Sequence, residues 1–197
     1  MPFKIVKNKI IEVNNMKYTL EWLKEKHINE EKLKYLFFWG HRRKSGYNVD
    51  KSCLSQWFPC EFKVDGIKYS SAEQYMMAEK AKLFGDTEVG NEILKSNEPN
   101  KIKGLGRKVK NFQEEIWDSK RIEIVKKGNY EKFSQNKKLG IFLKNTNPQI
   151  IVEASPLDII WGIGMDINNS QITNPLMWRG QNLLGFILTE VRDELDI

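Results

Sequence analysis

Apolar residues recur along the chain with two spacings, helical and alternating, and the switches between them mark out the elements. Tyr18, Trp22 and Leu23 fall on one face and predict a short amphipathic helix over residues 18–26, closed by a polar turn around Asn29. The aromatic run Tyr35-Leu36-Phe37-Phe38-Trp39, ended by Gly40, predicts a buried strand. Residues 41–52 are basic and polar, with Ser45-Gly46 as loop punctuation. Phe62-Lys63-Val64 and Ile67-Lys68-Tyr69 flank Asp65-Gly66, the signature of a tight hairpin.

A helix is then expected from Ser70-Ser71 onward, where Ser70 with Glu73, or Ser71 with Gln74, has capping-box spacing. Gly85-Asp86 ends it and caps a second helix through Leu94, and Pro99 opens a short turn leading to Gly104-Leu105-Gly106-Arg107. Asn111 is placed to cap a long helix holding Phe112, Ile116, Trp117 and Ile124, with an interruption at Gly128. Helical spacing resumes through Phe133 and from Leu139 to Leu143, until Asn145-Thr146-Asn147-Pro148 breaks it. Ile150-Ile151-Val152 reads as β, and residues 183–195 read as a terminal helix with Asn182 as its cap. The sum predicts a mainly α (α+β) fold with a small antiparallel β element: an N-terminal helical extension over residues 1–34 packed on one domain over residues 35–197.

Composition narrows the class. A chain of 197 residues that is 40% hydrophobic, with 10 Phe, 6 Trp and 6 Tyr, has enough apolar surface to fold without staples. Whole-chain disorder and repeat architectures are excluded. The 2 cysteines, Cys53 and Cys60, and the 2 histidines, His27 and His41, offer neither a disulfide framework nor a zinc site, so no metal and no cofactor is expected. No apolar run reaches the roughly 20 residues of a membrane span. Met1-Pro2-Phe3-Lys4 is followed at once by polar residues, unlike a secretory signal, so a soluble, reduced, cytoplasmic protein is expected. The net charge of +6 is unevenly spread: residues 101–144 carry 13 basic and 5 acidic groups, residues 145–197 carry 2 and 7. A local basic stretch of this kind fits either a solvated lysine-rich face or a phosphate-bearing partner.

Candidate chemistry sits at four places. Glu73 and Lys80 are seven positions apart, within about 20° of one helix face and about 10 Å between Cα atoms, so their side chains can converge on one sugar-sized object. A carboxylate there can oppose charge on a developing oxocarbenium or orient water, and an amine can hold phosphate or attack an opened sugar carbonyl. The structural alternative is equally concrete: Glu73 as the acid of a capping box, Lys80 as a solvent-facing lysine. Asp158 precedes Trp161-Gly162-Ile163-Gly164, where glycines permit close backbone approach and Trp161 can stack on a base or pack in a core. Position 167 is Ile167 rather than glycine, so a dinucleotide fingerprint is absent. Arg107 can contact phosphate after Gly104-Leu105-Gly106, and Asn182 can cap the last helix or present its amides to phosphate after Trp178-Arg179-Gly180.

In their order, Phe38-Trp39-Gly40-His41, Ser55-Gln56-Trp57, Val64-Asp65-Gly66, Ser71-Ala72-Glu73-Gln74-Tyr75 with Lys80-Ala81, Gly106-Arg107, Trp117, Lys132-Phe133, Val152-Glu153, Asp158 with Trp161-Gly162-Ile163-Gly164, and Gly180-Gln181-Asn182-Leu183-Leu184-Gly185 with Val191-Arg192 resemble the NADAR (YbiA-like) family over about residues 35–195. The resemblance implies a YbiA-like helical fold and N-glycosidase chemistry on ribosylated bases. It implies two substrate classes, ADP-ribose on guanine, including guanine in DNA, and phosphoribosylamino-pyrimidine intermediates of riboflavin synthesis. Carried over residue by residue, it marks Glu73, Lys80 and Asp158 as catalytic candidates. Substrate-binding candidates are Trp39, Gly40, Arg107, Trp117, Lys132, Trp161, Gly162, Trp178 and Asn182. The riboflavin-linked bacterial members have Ser-Asn-Phe where this chain has Ser55-Gln56-Trp57, and a short glycine-rich loop where it runs from Met165 through Pro175 to Trp178, which favours ADP-ribosyl guanine as the partner. A non-catalytic module for NAD or ADP-ribose and a nucleic-acid binder using residues 101–144 are the competing functions.

Overall fold

The computed structural model describes residues 16–42, 46 and 49–196. The opening Met1-Pro2-Phe3-Lys4 and Ser45 lie outside the described residues. Seven α-helices and four short strands are present among those described: α1 (Leu20–Ile28), β1 (Tyr35–Phe38), β2 (Phe62–Val64), β3 (Ile67–Tyr69), α2 (Ala72–Leu83), α3 (Thr87–Leu94), α4 (Pro99–Gly106), α5 (Glu114–Gln135), α6 (Lys137–Lys144), β4 (Ile150–Glu153) and α7 (Leu183–Glu194). The mainly helical α+β class is as the periodicity predicts. No described helix is long and apolar enough to cross a membrane.

The chain divides into two compact units, each assembled from two stretches of sequence. The first joins residues 16–37, of those described, with Pro148–Glu190. Its core is Leu23 of α1, Ile150 and Val152 of β4, Phe186 of α7, and Ile163, Met165, Ile172 and Trp178 from the loops. Thr19 caps α1 by accepting from the Trp22 amide at 3.1 Å. β1 pairs with β4.

The second unit joins Phe38–Asn147 with Val191–Ile197 and is organised around α2. The hairpin pairs Phe62 with Tyr69, Lys63 with Lys68 and Val64 with Ile67 in antiparallel register. Its turn puts Asp65 at φ 49° and Gly66 at φ 82°, both in the left-handed region that two-residue hairpin turns favour. α2 contacts β3, α3, α4 and α5. Every residue from Ala72 to Ala78 is buried, so this helix is enclosed on more than one face. Two glycines permit that closeness: a Cβ on Gly106 of α4 would overlap Met77 Sδ, and one on Gly128 of α5 would overlap the Tyr75 ring.

Five local expectations are corrected. The aromatic strand stops at Phe38, its one fully buried residue, and Trp39 beyond it is 56% exposed because the chain turns out through Gly40 at φ 81°. The Pro99 segment is a helix rather than a turn, with Pro99 at its first position, where the missing amide costs no bond. Asn111 does not cap α5, since it sits at φ 56°, and Gln113 takes the cap position without a side-chain bond. Gly128 does not interrupt α5, because it is the seat of Tyr75. Asn182 does not cap α7: at φ 54° its side chain turns to β4, its Oδ1 accepting from the Glu153 amide and its Nδ2 donating to the Ile151 carbonyl, both at 3.0 Å.

Candidate active site

The start of α2 carries its acid beside the cap. Ser71 is the cap, its Oγ accepting from the Gln74 amide at 3.1 Å, and Gln74 Oε1 takes the Ser70 amide at 2.7 Å. Gln74 Nε2 also donates to the Ser96 carbonyl at 2.8 Å, tying α2 to the end of α3. Ser71 is thus the cap residue, and Gln74 rather than Glu73 holds the third helical position. Glu73 is 4% exposed, and its amide donates to the Gln56 carbonyl at 2.9 Å.

Two turns along α2, Lys80 is held by three groups. Its Nζ donates to the Gly106 carbonyl at 2.9 Å, lies 4.1 Å from the Phe112 ring centroid and 5.6 Å from that of Trp117. The close α2–α4 contact at Gly106 brings that carbonyl within reach, and the left-handed turn at Asn111 delivers Phe112, which also rests edge-on against Phe84 at 5.3 Å. Burial holds the Lys80 amine below the ordinary lysine value, so a larger share of it is neutral at a given pH. The solvent-facing alternative for Lys80 does not describe this arrangement.

The Ser55-Gln56-Trp57 segment lies beside the start of α2. Lys132 is fully buried and donates to the Ser55 carbonyl at 2.9 Å, and Gln56 Nε2 donates to Asn129 Oδ1 at 3.0 Å. Trp57 is half-buried, with Lys103 Nζ 5.3 Å from its ring centroid and the His41 ring at 5.6 Å. A closed circuit of contacts results: Glu73 to Gln56, Trp57 to Lys103, Gly106 one turn further along α4, Lys80, and back along α2 to Glu73. Arg107 is exposed at the end of α4, one helical turn from Lys103. Trp39 is exposed, and nothing lies within 4 Å of a Cβ built on Gly40. Burial pushes the Cys53 thiol up to about 12 and raises that of Cys60, so neither supplies a thiolate near neutrality.

The remaining candidates belong to the first unit. Asp158 Oδ1 accepts from the amides of Ile160 at 2.9 Å and Trp161 at 2.8 Å, which shapes the loop carrying half-buried Trp161. Gly162 is packed rather than open: an added Cβ would lie 2.9 Å from the Glu153 carbonyl oxygen and 3.0 Å from Ser155 Cβ. Trp178 is buried, its Nε1 donating to the Ile172 carbonyl at 2.8 Å. Asn182 spends its side chain on β4. Sequence reasoning missed Phe112 as a partner of Lys80 and held Lys103 only as one of the basic groups of residues 101–144. The signal for Lys103 was its spacing of four from Arg107, which places both on one face only once residues 99–106 are read as helix.

The family model described as NADAR domain matches residues 37–196. The chain belongs to the NADAR family. It is 45% identical over 167 residues to N-glycosidase R617 of Acanthamoeba polyphaga mimivirus, covering 82% of this chain and 96% of that protein. It is 30% identical over 135 residues to N-glycosidase YbiA of Escherichia coli, covering 68% of this chain and 76% of that one. The NMR structure of E. coli YbiA superposes with a TM-score of 0.63 at 24% identity, covering 83% of this chain and 86% of YbiA, which shows a shared fold. Riboflavin biosynthesis protein VVA0006 of Vibrio vulnificus is 31% identical over 142 residues, covering 72% of this chain but 35% of that longer protein. For a NADAR domain, the Glu73 and Lys80 pair is thus displayed on a buried, fully capped helix.

Proposed function

We propose that this chain is an N-glycosidase that hydrolyses the bond between a ribose and a base nitrogen, with ADP-ribose on guanine, free or in DNA, as its substrate. The observation that carries this is the Lys80 amine, its proton affinity lowered by burial and its position fixed by Gly106, Phe112 and Trp117, two turns from the buried side chain of Glu73. The names of R617 and YbiA support the reaction class.

Cleaving a ribosylamine leaves the anomeric carbon electron-poor and the base nitrogen in need of a proton. As a carboxylate, Glu73 opposes the charge on that carbon or orients the attacking water. Lys80 has two available roles, holding a phosphate or attacking carbon, and the burial that lowers its proton affinity favours the second. In the ring-opened sugar the base is joined to C1 as an imine. Lys80 Nζ adds to C1, its two protons pass to the base nitrogen, which departs as the free amine, and the new lysine imine takes up one water to release the sugar aldehyde and restore the amine. Arg107 holds phosphate and Trp117 stacks. Asp158 keeps the Trp161 loop in shape.

Borohydride added during turnover tests the covalent route. A sugar adduct located on Lys80 and absent in Lys80→Ala is expected, and turnover with no trapped adduct would remove it. Phosphoribosylamino-pyrimidine is the second substrate, favoured by the name of VVA0006, and contains the same ribosylamine bond. Parallel incubations rank the two.

A further inference from the structure

We infer that Lys103 is a phosphate-holding residue of this site, kept in place by the Trp57 ring, and that with Arg107 it selects sugars bearing two linked phosphates over sugars bearing one. This rests on the glycosidase proposal above for the location of the sugar.

Three observations carry it. Lys103 lies within the circuit joining Glu73 to Lys80: its Nζ is 5.3 Å from the Trp57 centroid, Trp57 follows the residue whose carbonyl receives the Glu73 amide, and Gly106, one turn on, receives the Lys80 amine. Neither Lys103 nor Arg107 has a carboxylate within ion-pair distance among the described residues, although Lys110 nearby is paired with Glu88 at 2.9 Å. The two unpaired cations are also four residues apart on α4, which places their Cβ atoms about 6 Å apart on one face. The aromatic ring restricts a lysine that would otherwise be mobile, so less freedom is lost when an anion binds. A single phosphate engages one such cation well, whereas a pyrophosphate presents charge to both. The bland alternative is a lysine stem packed along Trp57 with no ligand role.

The test measures binding of the two sugar products, ADP-ribose and ribose 5-phosphate, by calorimetry to wild type, Lys103→Gln, Lys103→Arg and Trp57→Leu. Lys103→Gln should weaken ADP-ribose by about tenfold or more and ribose 5-phosphate by no more than about threefold. Lys103→Arg should recover most of the loss, and Trp57→Leu should reproduce part of it. Thermal unfolding of each variant separates lost binding from lost fold. ADP-ribose binding to Lys103→Gln at wild-type strength, equal losses for both sugars, or no binding by the wild type would each overturn the inference. Wild-type protein that binds ADP-ribose in this pattern yet releases none from ADP-ribosyl guanosine would leave the inference standing and remove the glycosidase proposal instead.

Discussion

Two glycines in α4, two residues apart, should respond oppositely to the same added methyl. A Cβ on Gly104 meets nothing within 4 Å, so Gly104→Ala should gain up to about 1 kcal/mol from helix propensity alone. A Cβ on Gly106 would overlap Met77 Sδ and lie 2.9 Å from Met77 Cγ, and Met77 is a buried residue of α2. Overpacking of that kind costs about 1–3 kcal/mol, which outweighs the propensity gain at the last helical residue and leaves a net loss of about 1–2 kcal/mol. In a chain of this size each kcal/mol moves Tm by about 2–4 °C, so the two variants should separate clearly in a melt. The functional consequence is larger. The Lys80 to Gly106 bond is 2.9 Å long, and if α4 retreats from α2 by about 1 Å the amine loses its acceptor, for a fall in kcat/KM of about 10- to 100-fold. Melts and initial rates of both variants on ADP-ribosyl guanosine check this. A Gly106→Ala protein as stable and as active as Gly104→Ala would refute the account of the α2–α4 contact.

Gly128→Ala should cost about 3 kcal/mol, because the methyl meets a rigid ring, overlapping Tyr75 Cδ1 and lying 2.7 Å from Cε1; urea unfolding measures it. Asn182→Ala should cost about 2–4 kcal/mol through two lost hydrogen bonds to β4, one buried and one part-buried, with exposed Gln181→Ala as the neutral control in the same denaturant series. Lys80 acts as a nucleophile only when neutral, and burial lowers its proton affinity, so the single-turnover rate should rise with pH and level off below the ordinary 10.5. Lys80→Met should show no such rise, and a wild-type profile flat between pH 6 and 9 would argue against nucleophilic use of the amine.

Where elements depend on local chemistry, the sequence was readable. Ser71 and Gln74 cap α2, Asp86 caps α3, and Asp65-Gly66 forms the hairpin turn at the anticipated positions. Two misreadings share a cause: the local preference of Gly128 and of Asn182 yields to a distant partner. Gly128 breaks helices in isolation, but here the absence of a side chain makes room for Tyr75, 53 positions earlier. Asn182 is a good cap by type, yet two bonds to β4 hold it in a left-handed conformation. The same holds for the site. The spacing of Glu73 and Lys80 was visible on one helix, whereas the Gly106 carbonyl, Phe112 and the Trp57–Lys103 pair arrive through packing between elements. Lys132, carried over as a substrate contact, is fully buried and supports the Ser55-Gln56-Trp57 segment, a role no local pattern distinguishes from an exposed basic residue.

The central claim is that the α2 pair breaks a ribose–base bond. Wild-type protein and Glu73→Gln should be incubated with ADP-ribosyl guanosine, and free ADP-ribose and guanosine followed by mass spectrometry. Stoichiometric release of both by the wild type, slowed by about 10²- to 10⁴-fold in Glu73→Gln while ADP-ribose binding persists, is the predicted result. Intact substrate after prolonged incubation with wild-type protein that binds ADP-ribose would contradict it and identify a binding module.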